Sequence, residues 1–291
     1  MTRRSVGVLA VLLAALVSTS VSAQRITRRI FVTARAGASP VLDLAAADFQ
    51  IVENGTKREV TRAALGKAPM RIVLLVDSSS AMSQMLNHFR AALNTFFNTL
   101  PPEHEVVFIT SGGQIRIRAQ PTTDRAALKT AAGRFSSDGG ANSFVETLLE
   151  SDRRFLRPVP QWPVFVILTT DNGDSRTDPR INEYNAFMES FLQRGGSAHG
   201  IVIKGANSAH IADIAENLIQ NTGGIHNVMN QSTAVEAQLK AIAERLASDH
   251  AKMANVYEID FPSDGKIKQP MIEIGTGRAN VTLQLLPRRP L

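Results

Sequence analysis

Four short apolar runs dominate the middle of the chain: Ile72 to Val76, Val106 to Ile109, Val164 to Leu168 and Ile201 to Ile203. Each is rich in Val and Ile and lacks polar alternation, which predicts strands covered on both faces, as in a parallel sheet. Amphipathic segments separate them. Leu86, Phe89, Leu93, Phe96 and Leu100 recur at helical spacing, as do Val235, Leu239, Ile242 and Leu246. Thr233 with Glu236 three residues later reads as a capping box for the last helix. This alternation from Pro69 to His250 predicts an α/β domain, a doubly wound and mostly parallel sheet with helices on both faces.

The flanks have a different rhythm. Ile30-Phe31-Val32 and Phe49-Gln50-Ile51-Val52 are strand-like, and Asn54-Gly55 is a tight-turn signal, because both positions favour positive φ. Arg58 to Thr61 is the expected returning strand, and Asp43 either caps a helical turn over Leu44 to Ala47 or lies in plain loop. Beyond Asn255, Val256 to Ile259, Met271 to Ile274 and Val281 to Leu285 are again strand-like. Strands at both ends predict one small β-sandwich holding the α/β domain as an insertion; two separate β extensions are the alternative. The resulting division is 24–68 and 253–291 for the sandwich and 69–252 for the α/β domain.

Residues 1–23 combine Arg3 and Arg4, an apolar run from Val6 to Val17, and Val21-Ser22-Ala23. That is the plan of a secretory signal peptide, and the run is short for a membrane span, although an uncleaved anchor is the competing reading. The expected location is secreted or periplasmic, with no stable membrane insertion after cleavage. Cleavage leaves 30 basic against 26 acidic side chains, so the net charge falls from +6 to +4. A single Trp and two Tyr leave few stacking platforms, and no nucleic-acid partner is expected. The chain has no cysteine, which excludes disulfides, thiolate metal sites and a cysteine nucleophile.

In an open parallel sheet, ligands collect where strands end beside the switch point in strand order. The loops after the first and third runs begin Asp77-Ser78-Ser79-Ser80-Ala81-Met82 and Thr169-Thr170-Asp171-Asn172-Gly173-Asp174, and Gly139-Gly140-Ala141-Asn142-Ser143 precedes a helix. Such oxygen donors suit Mg²⁺ or Ca²⁺ rather than a soft metal. Equally, Asp77 can serve its own following amides and Ser78 to Ser80 can cap the next helix, while Asp174 and Asp178 read as solvated loop charges.

Asp77-Ser78-Ser79-Ser80-Ala81-Met82 resembles the first metal-site motif of von Willebrand factor A domains, Asp-x-Ser-x-Ser. Leu168 to Gly173 resembles the family's Thr-Asp-Gly loop, and Thr222-Gly223-Gly224 follows in the family's order. Leu44, Asp48-Phe49 and Glu53-Asn54-Gly55 resemble the run that precedes the domain in secreted bacterial A-domain proteins. The resemblance covers roughly residues 70 to 250. It implies a metal-ion-dependent adhesion site in which an aspartate, two serines, a threonine and a second aspartate hold a divalent cation, and a partner's carboxylate completes its octahedral shell.

The match assigns Asp77, Ser79 and Asp171 to that set. Ala81 stands where the second serine belongs, and the threonine position falls on Ala141 or Asn142, of which only Asn142 offers a side-chain oxygen. The expected ligands are therefore Asp77, Ser79, Asn142 and Asp171, a degenerate set for Mg²⁺. The function implied is an exported protein-binding module of adhesion type; the alternative is a metal-independent structural or assembly protein of the cell envelope.

No catalytic site is expected. The serines do not form Gly-x-Ser-x-Gly, there is no phosphate loop, and the six histidines lack metal-ligand spacing. His199 and His226 could approach if their strands were neighbours, with a hydrogen-bonded structural role preferred.

Overall fold

The computed structural model describes residues 26–171, 180–205, 210–265, 267 and 269–287. The signal-peptide reading, Asn172 to Asp174 and Asp178 lie outside these residues. Among the described residues, no helix is long and apolar enough to cross a membrane.

The leading segment forms β1 (Ile26–Ala36), β2 (Ser39–Pro40), β3 (Phe49–Glu53), β4 (Thr56–Arg58) and β5 (Arg62–Leu65). Asn54 (φ 48°) and Gly55 (φ 78°) make the two-residue turn between β3 and β4, as the Asn-Gly pair predicts. The returning strand is shorter and earlier than expected: it stops at Arg58, and the chain then crosses to the other sheet as β5. The anticipated helical turn also differs. A 3₁₀ turn forms at Ala46–Asp48, where Asp48 accepts the Ala45 amide at 2.7 Å, while Asp43 is ion-paired with Arg278 at 2.6 Å.

The chain then runs through β6 (Met70–Val76), α1 (Leu86–Thr99), β7 (Glu105–Thr110), β8 (Arg116–Thr122), α2 (Arg125–Arg134), α3 (Phe144–Ser151), β9 (Trp162–Thr170), α4 (Ile181–Gln193), β10 (Ser197–Ile203), α5 (Ile211–Thr222), β11 (His226–Met229) and α6 (Val235–Met253). The strand order is β11-β10-β9-β6-β7-β8, parallel except for β8 at the edge. Alternate residues of β6 feed opposite cores. Ile72, Leu74 and Val76 pack with α1, α2 and α6, whereas Val73 and Leu75 pack with α3, α4 and α5. Residues with no polar side have two apolar partners, which is why the strands read as unbroken apolar runs. At the head of α6 the expected cap is absent: Ser232–Ala234 form a 3₁₀ turn, and Glu236 accepts the Thr95 hydroxyl at 2.6 Å instead of closing a capping box.

The tail supplies β12 (Tyr257–Ser263), β13 (Ile272–Thr276) and β14 (Thr282–Leu286). One antiparallel sheet has the order β14-β1-β12-β5 with β2 beside β1, and the other is β13-β3-β4. Their facing side chains, among them Val32, Phe49, Ile51, Tyr257 and Ile259, share one core. The two ends therefore build a single β-sandwich rather than separate extensions.

Candidate functional site

First in chain order but central in the sheet, β6 has β7 on one side and β9 on the other. The strand order reverses here, so the carboxyl end of β6 is the switch point where an open sheet leaves a crevice. Asp77 follows β6 and Asp171 follows β9, and the two strands pair in register from Met70 and Trp162 to Val76 and Leu168.

Three loops close over this edge. The Ser80 amide donates to Gly140 O at 3.2 Å, the Asp138 amide to Ser78 O at 2.7 Å, and the Gly113 amide to Ala141 O at 2.7 Å. Asp77, Ser79, Asn142 and Asp171 are all buried. Asp77 Oδ1 accepts the Ser79 amide at 2.7 Å, while Oδ2 accepts the Thr170 amide at 3.2 Å and the Thr170 hydroxyl. Burial pushes the Asp77 carboxyl above the usual carboxylate range, against these hydrogen bonds, and no cationic side chain of the described residues offsets it. Ser79 Oγ lies close enough to Asp77 to favour its ionised form, but makes no well-aligned hydrogen bond and is shielded from water. Asp171 Oδ1 accepts the Ala212 amide at the start of α5, at 3.1 Å.

Asn142 is differently engaged. Its Oδ1 accepts the Ser111 hydroxyl at 2.7 Å, and its Nδ2 donates to Thr169 Oγ1 at 2.8 Å. Both ends of the amide thus tie the third loop to β9 and to the end of β7. The serines do not cap the next helix: Ser79 makes no side-chain cap bond, and Ser80 Oγ points to Gly140 O at 3.4 Å.

Asp138 carries a role that the sequence reading did not assign. It accepts from Ser78 Oγ at 2.7 Å, from Thr110 Oγ1 at 3.3 Å and from Arg118, with Arg116 at 3.3 Å. Burial opposes its charge, yet the Arg118 and Ser78 hydrogen bonds and both guanidiniums hold the carboxyl below its ordinary range. Ser78 Oγ also accepts the Gly112 amide at 2.9 Å, so the clamp fixes the backbone that leads into Ser79. The available sequence signal was the Arg-x-Arg alternation of Arg116 and Arg118 together with the single acid, Asp138, in the loop before Gly139. Asp138→Ala is expected to cost about 2 kcal/mol, the worth of hydrogen bonds to charged groups, measured by urea unfolding.

His199 and His226 lie on the neighbouring, paired strands β10 and β11. His199 Nδ1 accepts the Ile225 amide at 3.1 Å, a structural bond as preferred from sequence. His226 sits opposite Gly200 on the neighbouring strand.

Residues 72–173 match the family model of the von Willebrand factor type A domain. No curated protein sequence matches the chain. A solved von Willebrand factor type A structure from Catenulispora acidiphila superposes with a TM-score of 0.50 at 14% identity, over 75% of this chain and 50% of that one, so the chain spans about half the length of that protein. The conserved hypothetical protein BatB from Bacteroides thetaiotaomicron aligns with a TM-score of 0.47 and 13% identity over 63% of this chain and 99% of its own. Proximal thread matrix protein 1 from the mussel byssus, solved with a zinc-occupied adhesion-site motif, gives a TM-score of 0.47 and 11% identity over 72% and 50%.

Proposed function

Taking the α/β unit as a von Willebrand factor type A domain, the fold that its topology and the match over residues 72–173 show, we propose that the chain is an exported, non-enzymatic protein-binding module of adhesion type. Residues 69–252 are the recognition domain, and 24–68 and 253–291 form its sandwich mount. A domains generally mediate protein–protein contact, and the carboxyl edge of β6 and β9 is the proposed binding face. The observation that carries this reading is the placement of Asp77 and Asp171 directly after the paired strands β6 and β9 at the switch point, with Ser79 Oγ buried beside Asp77 and without a well-aligned hydrogen bond among the described residues. A buried acid without a counter-charge among the described residues, beside a hydroxyl that makes no well-aligned hydrogen bond, is the arrangement a hard cation suits.

Asp77, Ser79 and Asp171 would hold the ion, with water filling the places that Ala81 and the inward-turned Asn142 leave. A bound Mg²⁺ would supply a positive centre for a carboxylate on the partner. Asn142 and Asp138 then act as braces, one on the third loop and one on the serine loop.

A metal-independent reading is favoured by one feature: Asp77 accepts three protein hydrogen bonds and Asn142 is committed at both ends. Calorimetric and thermal-shift titrations with Mg²⁺, Ca²⁺ and Mn²⁺ separate the two. The metal reading expects weak binding by the parent and binding at least about tenfold tighter in Ala81→Ser, which restores a ligand. Silence from both proteins at millimolar cation leaves the metal-independent assembly role.

A further inference from the structure

At the opposite end of the sheet, where the chain passes from the sandwich into β6 and back out of α6, three potential ligands meet. Glu103 and His104 lie in the loop between α1 and β7, and His250 lies near the end of α6. One donor atom from each falls within 4.8 Å of the other two. The two rings meet edge to face with centroids 4.5 Å apart, although 146 residues separate them in sequence.

The ring nitrogens are arranged unequally. His250 Nε2 sits 3.1 Å from the Ala68 carbonyl oxygen, which only accepts, so Nε2 carries a proton and in the neutral ring Nδ1 presents its lone pair. Glu103 Oε1 is 3.8 Å from that Nδ1. A ring that gives its far N–H to a backbone carbonyl while its near nitrogen faces other donors has the outer-shell pattern of a metal-ligating histidine. His104 is fully buried, and its Nε2 has no hydrogen-bond partner. Leaving a polar nitrogen orphaned in the interior costs about 1–3 kcal/mol, so this one calls for a partner; with Nδ1 accepting the Met70 amide it is an N–H, and it becomes a ligand lone pair only once the ring proton moves to Nδ1.

We propose that Glu103, His104 and His250 form a transition-metal site of the zinc type that ties the α1–β7 loop to the end of α6 at the junction with the sandwich. Two nitrogens and a carboxylate oxygen suit Zn²⁺, Co²⁺ or Ni²⁺ better than Mg²⁺ or Ca²⁺, and water completes a tetrahedron. Ligands on a tetrahedral zinc with bonds near 2.1 Å stand about 3.4 Å apart, so ligand atoms up to 4.8 Å apart must close by up to about 1.4 Å. Glu103, 46% exposed, has the freedom to supply that movement. Two costs oppose loading. His104 Nδ1 accepts the Met70 amide at a long 3.3 Å, so the ring proton must move from Nε2 to Nδ1 at the expense of that contact. Arg125, bonded to the carbonyls of Pro101 and His104 at 2.7 and 2.9 Å, adds a positive charge that the Glu103 carboxylate offsets. The site shares no residue with the Asp77 face and does not depend on its reading.

The test uses the untagged full chain, stripped with chelator and titrated with Zn²⁺ against a chromophoric indicator, with Co²⁺ absorption reporting tetrahedral geometry. One equivalent of Zn²⁺ is expected. Both His250→Ala and Glu103→Gln should weaken it by at least about tenfold, while Glu273→Gln, an exposed position on β13, leaves it unchanged. Glu103 is exposed, so Glu103→Gln keeps the fold and decides the matter even if His250→Ala is unstable. No uptake with Zn²⁺ in excess at micromolar concentration, or uptake equal in the parent and Glu103→Gln, overturns the proposal.

Discussion

Gly112→Ala is expected to destabilise the protein by about 3–4 kcal/mol and to displace the Asp77–Ser79 loop, an overpacking cost above the usual range of about 1–3 kcal/mol because the clash is with backbone. Gly112 follows the end of β7, and its amide donates to Ser78 Oγ at 2.9 Å. A Cβ there would lie 2.3 Å from the Ser78 carbonyl carbon, 2.4 Å from its oxygen and 2.6 Å from the Ser79 nitrogen. Those are backbone atoms, so no rotamer change relieves the contact. The serine loop must move, and with it the amide that holds Asp77 Oδ1. Gly133 is the control. It lies in α2 with nothing within 4 Å of its added Cβ, and Gly133→Ala should stabilise by about 0.5–1 kcal/mol through helix propensity and a less flexible unfolded chain. Urea midpoints of the three proteins check both signs. A Gly112→Ala protein within about 0.5 kcal/mol of the parent, the ordinary surface range, would show that the serine loop does not pack against β7 as described.

What the sequence made legible follows from how locally each feature is encoded. The four central strands announced themselves because each residue of a doubly covered strand must be apolar, as Val73 and Leu74 are on opposite faces of β6. Asn54-Gly55 was readable because a two-residue hairpin requires positive φ at both positions. By contrast, β8 was missed. It is an antiparallel edge strand, RIRAQPT, with half-exposed and exposed side chains and a proline, so it lacks the apolar run that marked its neighbours. The Thr233 cap failed for a tertiary reason: Glu236 bonds to Thr95 of α1, a partner 141 residues away in sequence.

The site divides along the same line. Asp77 and Asp171 could be named because they follow strand ends directly, and strand ends are readable. The engagement of Asn142 by Ser111 and Thr169 could not, because it depends on how the third loop sits against β7 and β9. Asp138 escaped notice because its cationic partners lie on β8, the strand the apolar pattern did not reveal. His104 and His250 meet only through the packing of α6 beside the α1–β7 loop, and no sequence spacing announces such a meeting.

Acidification supplies the second large effect. Burial, reinforced by the nearby His250, pushes the His104 imidazole down to about 4, and burial does the same to His199, also to about 4, against the attraction of Asp249. In the unfolded chain both titrate near 6.5. Between those values the unfolded state binds more protons than the folded one, so stability falls as the pH drops from about 6.5 to about 4 and levels off below. A shift of this size is worth on the order of 3 kcal/mol for each histidine. The two together are a large share of a net stability that is typically 5–15 kcal/mol. Asp138, whose carboxyl is held low, adds a loss at still lower pH, while Asp77, held high, contributes with the opposite sign because its protonation relieves a buried charge. Melting temperatures of the chelator-treated protein should therefore decline steeply across pH 6.5 to 4, and replacing either ring by a group that does not titrate, as in His199→Gln or His104→Gln, should flatten the decline even if it lowers the plateau. The chelator matters because a metal on His104 would hold its ring neutral and shift the decline to lower pH. A parent protein whose melting temperature is level across this window would show that the two rings are accessible to protons in the folded state.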